Sequence, residues 1–195
     1  MMTSARKLVF LLSFVILSCN SSSKNNIDEI VSIVGRTMGT TYSVKYATGI
    51  KSNDDIIENK NKIEEILRNV NMQMSTYIPE SEISQFNRMR NTEWVNISKD
   101  FAFVVQSSFE YYDMSGGLYD ITVMPLVNLW GFGPDKFIDT PSTTNIDSVL
   151  AFVGQDLIEI QDSRIRKKDP RVQIDLSSIA KGFAVDKIIE SLNYD

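Results

Sequence analysis

Asp175-Leu176-Ser177-Ser178-Ile179-Ala180-Lys181-Gly182-Phe183-Ala184-Val185-Asp186 carries an expected strand, Val172 to Leu176, straight into an expected helix. The helix should begin near Ser177 or Ser178 and bury Ile179, Phe183, Ile188 and Leu192, which fall at helical spacing. The first N–H groups of a helix have no partner within it, so such a junction is a ready anion site. Lys181 falls in the first turn, where a cation opposes the helix dipole. An arriving phosphate would turn that conflict into a contact. The same residues also describe a capped core helix with an exposed lysine, and the junction alone leaves both readings open.

Upstream, Leu157 to Ile160 and Ile165 to Arg166 read as earlier strands of a meander, turned at Asp162-Ser163 and Asp169-Pro170. Lys167-Lys168, beside Asp169, reads as a solvated turn tip. A short helix is expected from Asn145 to Val153, closed by Gly154. A longer one should start at Ser98, turn Phe101, Val104, Val105, Phe109 and Tyr112 inward, and stop at Gly116-Gly117. Ile56, Ile63, Ile66, Leu67, Val70 and Met74 give a helical period from Asp54 to Met74, with Asn53 or Asp54 as cap. Val31 and Ile33, then Tyr42, Val44 and Tyr46, alternate as two strands around the hydroxyl-rich segment Gly35-Arg36-Thr37-Met38-Gly39-Thr40-Thr41. Glycines there let backbone approach a ligand, and N–H and hydroxyl groups can hold phosphate; an ordinary turn is the plainer reading.

Residues 118–134 read as buried chain, irregular or strand-like, with Trp130 and Phe132 as core groups. Asp120 lies in this apolar stretch, where an unpaired carboxylate is costly, so it either caps a turn or serves a site. The fold class expected is α+β, a mixed sheet with flanking helices. Strand–helix alternation calls for another strand after the last helix, so the chain reads as the N-terminal part of something longer.

Composition narrows the chemistry. With 195 residues, 43% of them hydrophobic, the chain can bury a core. A net charge of −5 lacks the basic footprint of a nucleic-acid binder. There is no histidine and one cysteine, which removes Ser-His and Cys-His couples, internal disulfides and cysteine-rich zinc sites. A metal here must be held by oxygen, which points to Mg²⁺ or Ca²⁺. The single cysteine ends a leader: Arg6-Lys7, the apolar run Leu8 to Leu17, then Ser18-Cys19. The run is too short to span a bilayer, where about 20 residues are needed. It resembles a lipobox, making residues 1–18 a signal peptide, Cys19 the lipidated residue and 19–29 a polar tether before a domain at 30–195. The expected location is a bacterial membrane, with the protein facing the periplasm or the cell exterior.

Four segments, in order, carry a wider resemblance. They are Thr37-Met38-Gly39-Thr40-Thr41-Tyr42; Met74-Ser75-Thr76-Tyr77 leading into Ser81-Glu82-Ile83-Ser84-Gln85-Phe86-Asn87; Leu126-Val127-Asn128-Leu129-Trp130-Gly131-Phe132-Gly133; and Asp175 to Asp186. Together they resemble the bacterial FAD:protein FMN transferase family (ApbE-like flavin transferases). The resemblance implies an enzyme with two subdomains and FAD in the cleft between them. Such an enzyme uses Mg²⁺ to split FAD, joins FMN by a phosphoester to a Thr or Ser of a target protein, and releases AMP. Targets in the family include subunits of sodium-translocating and related redox complexes.

Carried over position by position, Met38, Tyr77, Leu118, Tyr119, Asp120, Asp175 and Lys181 would contact FAD, and the Ser178 carbonyl would bind Mg²⁺. The family's other metal ligands, an Asp and a Thr, belong to a C-terminal half, so the catalytic residues are not assigned here and the chain alone would lack full activity. Many members have Gly at the position of Ser177, and some have an acidic residue at that of Lys181. Relatives that hydrolyse FAD to FMN and AMP offer an alternative activity, and a non-catalytic flavin-binding lipoprotein offers another.

Overall fold

The computed structural model describes residues 29–48, 52–134 and 140–192. The leader, Cys19 and nearly all of the tether lie outside them. Strands β1 (Glu29–Thr37) and β2 (Thr40–Thr48) form an antiparallel hairpin in which Thr37 pairs with Thr40. Met38 and Gly39 make the two-residue turn, both at positive φ (48° and 72°), the conformation that matches the twist of the flanking strands. Val31 and Ile33 face the core while Ile30 and Val34 face out, as a period of two requires.

Helix α1 (Asn53–Met74) buries Ile63, Leu67, Val70 and Met74. Its cap is Ser52, one residue before the expected Asn53 or Asp54. The Ser52 hydroxyl accepts from the Asp55 N–H at 3.3 Å and the Asp55 carboxylate accepts from the Ser52 N–H at 3.0 Å, so two orphan donors are satisfied at once. A seven-residue helix α2 (Glu82–Arg88), capped by Ser81, follows and was not expected. Helix α3 (Lys99–Met114) starts as anticipated, on the Ser98 cap, and buries Phe101, Val104 and Val105.

Residues 118–134 are not strand-like. A 3-10 turn at Ile121–Val123 leads into helix α4 (Met124–Leu129), with Pro125 in its first turn, where a missing N–H costs nothing. Ile121, Met124 and Leu129 are buried, but Trp130 and Phe132 are 49% and 76% exposed and are not core groups. Helix α5 (Thr143–Leu150) starts two residues ahead of the expected Asn145 and is capped by Ser142.

The second sheet joins β3 (Val95–Asn96), β4 (Ile158–Gln161) and β5 (Arg164–Lys167), all antiparallel, with β5 in the centre. The expected strand Val172–Leu176 is extended but does not join it. Val172, Ile174 and Leu176 are fully buried, yet their neighbours are side chains and turns: the Asp175 N–H donates to the Ile121 carbonyl at 2.8 Å. Alternation sorts residues to faces without naming the hydrogen-bond partner. Lys167 also departs from expectation. It shares the inward parity of Ile165 on β5 and is 0% exposed, not a solvated tip. Helix α6 (Ala180–Leu192) closes the described chain, burying Phe183 and Ile188 and packing along α1. The frame is α+β, two small sheets held between helices.

Candidate functional site

The β1–β2 turn, the end of α1 and the start of α6 enclose a cleft of about 570 Å³. Met38 and Gly39 come from the turn, Met74 to Tyr77 from the helix end, and Ser177, Ala180 and Lys181 from the α6 junction. Side-chain bonds hold these pieces in place. Asn71 donates to the Thr37 hydroxyl at 2.9 Å, tying the hairpin to α1. The Ser75 carbonyl accepts from the hydroxyls of Ser81 (2.6 Å) and Ser84 (3.2 Å), which fixes the corner before Tyr77. The Tyr77 hydroxyl donates to the Phe132 carbonyl at 2.7 Å and so brings the Trp130–Gly133 loop to the same rim.

At α6 the backbone is poised for an anion. Ile179 and Ala180 donate to the Leu176 carbonyl. The N–H groups of Ser178, Lys181 and Gly182 have no acceptor among the described residues. The Ser178 carbonyl likewise receives no N–H among them. Lys181 is exposed and forms no ion pair within the described residues.

Asp120 and Asp175 use one device twice. Asp120 Oδ1 accepts from the N–H and hydroxyl of Thr122 at 2.8 and 2.6 Å. Asp175 Oδ1 accepts from the N–H and hydroxyl of Ser177 at the same distances. The bond from the Asp175 N–H to the Ile121 carbonyl sets the two turns side by side. Each carboxylate keeps its second oxygen free of donors among the described residues.

The expected site residues therefore do not all share one wall. Met38, Tyr77 and Lys181 line the cleft. Tyr119 and Ser178 line a second groove of about 540 Å³ with Tyr111 and Asp186, their hydroxyls 3.1 Å apart. Asp120 and Asp175 hold backbone turns and line neither, and Leu118 stands 93% exposed. Ser177 and Asn71 line the cleft and were not singled out; Ser177 could have been, since it sits inside the quoted junction. No group of three or more acidic, Cys or His residues able to hold a metal occurs among the described residues.

The hairpin turn, the end of α1 and the start of α6 thus define an α+β protein with one cleft walled by three separate segments. The ApbE family model matches residues 38–194, and the chain belongs to that family. It is 40% identical over 170 residues to the FAD:protein FMN transferase of Haemophilus influenzae, covering 84% of this chain and 49% of that protein. The FAD:protein FMN transferase of Vibrio cholerae is 37% identical with the same two coverages, 84% and 49%. Among solved structures, the flavin transferase ApbE from Vibrio cholerae superposes with a TM-score of 0.80 at 37% identity, over 85% of this chain and 53% of that one. The apo flavinyl transferase ApbE of Pseudomonas stutzeri gives 0.77 at 33% identity, over 85% and 55%. The chain spans about half the length of the curated relatives it matches.

Proposed function

We propose that this chain forms the flavin-binding part of a Mg²⁺-dependent FAD:protein FMN transferase. The observation that carries the reading is the convergence of Met38, Tyr77 and Lys181, from three separate segments, on one cleft where the Lys181 N–H is unpaired among the described residues. Met38 and the exposed Tyr77 ring offer apolar and aromatic surface to an isoalloxazine. The Lys181 N–H and ammonium would face the charge of a pyrophosphate in the cleft, with the Ser178 and Gly182 N–H groups at the neighbouring groove. Tyr119, Leu118, Asp120 and Asp175 would complete the contacts, the two carboxylates through the oxygens their turns leave free.

The reaction moves one phosphoryl group. The hydroxyl oxygen of an acceptor Thr or Ser would attack the FMN phosphorus, the bond to the bridging oxygen would break, AMP would leave with that oxygen, and the hydroxyl proton would pass to solvent. Such a transfer depends on positioning and on neutralising charge. The Ser178 carbonyl, free of N–H donors, fits one place in an oxygen-ligated Mg²⁺ site, and the ion would neutralise charge on the pyrophosphate. Lipidation at Cys19 would hold the enzyme at a membrane facing the periplasm or cell exterior. Its targets there would be subunits of sodium-translocating or related redox complexes.

Incubating the intact protein, with the C-terminal half its relatives carry, with FAD, Mg²⁺ and such an acceptor subunit tests the reading. A fluorescent acceptor band on a denaturing gel, with one AMP released per flavin attached, is expected. Free FMN and AMP without a fluorescent band would show hydrolysis instead.

A further inference from the structure

Asn87 and Lys167 lie outside the cleft, and both are buried. The Asn87 side chain pairs with the backbone of Ile174 in both directions: Nδ2 donates to the Ile174 carbonyl and the Ile174 N–H donates to Oδ1, each at 2.8 Å. The amide thus supplies what a neighbouring strand would have given. The Lys167 ammonium donates to the carbonyls of Val172 (2.9 Å), Pro170 (3.3 Å) and Asn87 (3.3 Å), with the Phe86 ring 5.1 Å away. Two side chains, one from α2 and one from β5, therefore grip residues 170–174, and the next residue is Asp175.

We propose that Asn87 and Lys167 are positioning residues that hold the Asp175–Lys181 junction in the conformation that receives the ligand's phosphates. The proposal rests on the reading of the α6 N-terminus as a phosphate site. The reason is geometric. Among the described residues Val172–Leu176 has no strand partner, so the bonds that hold it here are those of Asn87 and Lys167, the Ile121 and Asp169 carbonyls and the Asn128–Gln173 contact. Buried backbone groups must be paired, and the pairing here fixes one conformation of a segment that could otherwise shift along its neighbours. The junction's unpaired N–H groups point at a ligand only while that segment stays put. Tyr77 and Met38, on the other wall, are held by separate bonds.

The test compares FAD with riboflavin, which has the same ring and no phosphate, in the native chain, Asn87→Ala and Lys167→Met. Amide hydrogen exchange is measured alongside. Expected in both variants are a roughly tenfold or greater loss of FAD affinity and riboflavin affinity within about twofold of native. Amides of 174–180 should exchange faster while those of α1 and α3 keep their protection. A folded variant that keeps both the native FAD-to-riboflavin ratio and the native exchange at 174–180 overturns the proposal. Equal losses for both flavins also overturn it, since they indicate a general structural role. If Asn87→Ala does not fold, Lys167→Met decides. A native chain that binds FAD no better than riboflavin refutes the phosphate reading itself, and the exchange data then decide whether the clip holds the segment.

Discussion

Lys167 gives each of its three N–H groups to a backbone carbonyl, and burial pushes its pKa down to about 8 from 10.5. Arg90 adds repulsion in the same direction and Asp169 opposes it. Between those two values the unfolded chain binds more protons than the folded one, so stability through this group rises as pH rises across the window. A depression of this size corresponds to about 3 kcal/mol. Urea unfolding of the native chain at pH 7.5 to 10.5, referenced to Lys167→Met to cancel the other titrating groups, should therefore show stability rising with pH by a total of that order across the window. A flat difference between the two would contradict it. The turn-like Lys-Lys-Asp-Pro sequence hid this residue, because turn composition outweighed the strand parity that Lys167 shares with Ile165. Asp120 was legible as unusual in its apolar stretch and Asp175 only through the family resemblance; the structure shows one oxygen of each in a turn and the other free of donors among the described residues.

Elements with a full period were readable and short ones were not. Helix α1 repeats its apolar face over 22 residues, whereas α2 has seven residues and two buried apolar side chains, less than a pattern needs. The stretch 118–134 misled through its apolar content: of α4 only Met124 and Leu129 are buried, Trp130 and Phe132 are exposed, and the Tyr77 hydroxyl reaches the Phe132 carbonyl. The α1 capping box lies far from the cleft walls, which fixes what its loss should do. Ser52→Ala should lower stability by about 1 kcal/mol. FAD affinity should remain within about twofold, because the other end of α1 carries the cleft. Thermal unfolding with parallel flavin titration checks both, and a large loss of affinity would mean that α1 moves as a unit.

Across the molecule, the α+β class and the order of the main elements were visible in periodicity and caps, while the assignment of sheet partners was not. Alternation placed Val172, Ile174 and Leu176 inside but could not say that Asn87 and Ile121 would satisfy the backbone between them. The cleft was likewise invisible to periodicity, since its walls come from segments more than a hundred residues apart. Family motifs located its residues, and the fold shows that three of them meet. Whether FAD enters this cleft can be measured on the chain itself. Isothermal titration of the chain with FAD, repeated on Tyr77→Ala, tests it most directly. Saturable one-to-one binding is expected, weakened about tenfold or more in Tyr77→Ala through lost ring contact. Binding of FAD with equal affinity by the native chain and by folded Tyr77→Ala would contradict it, as would no binding to the native chain at all.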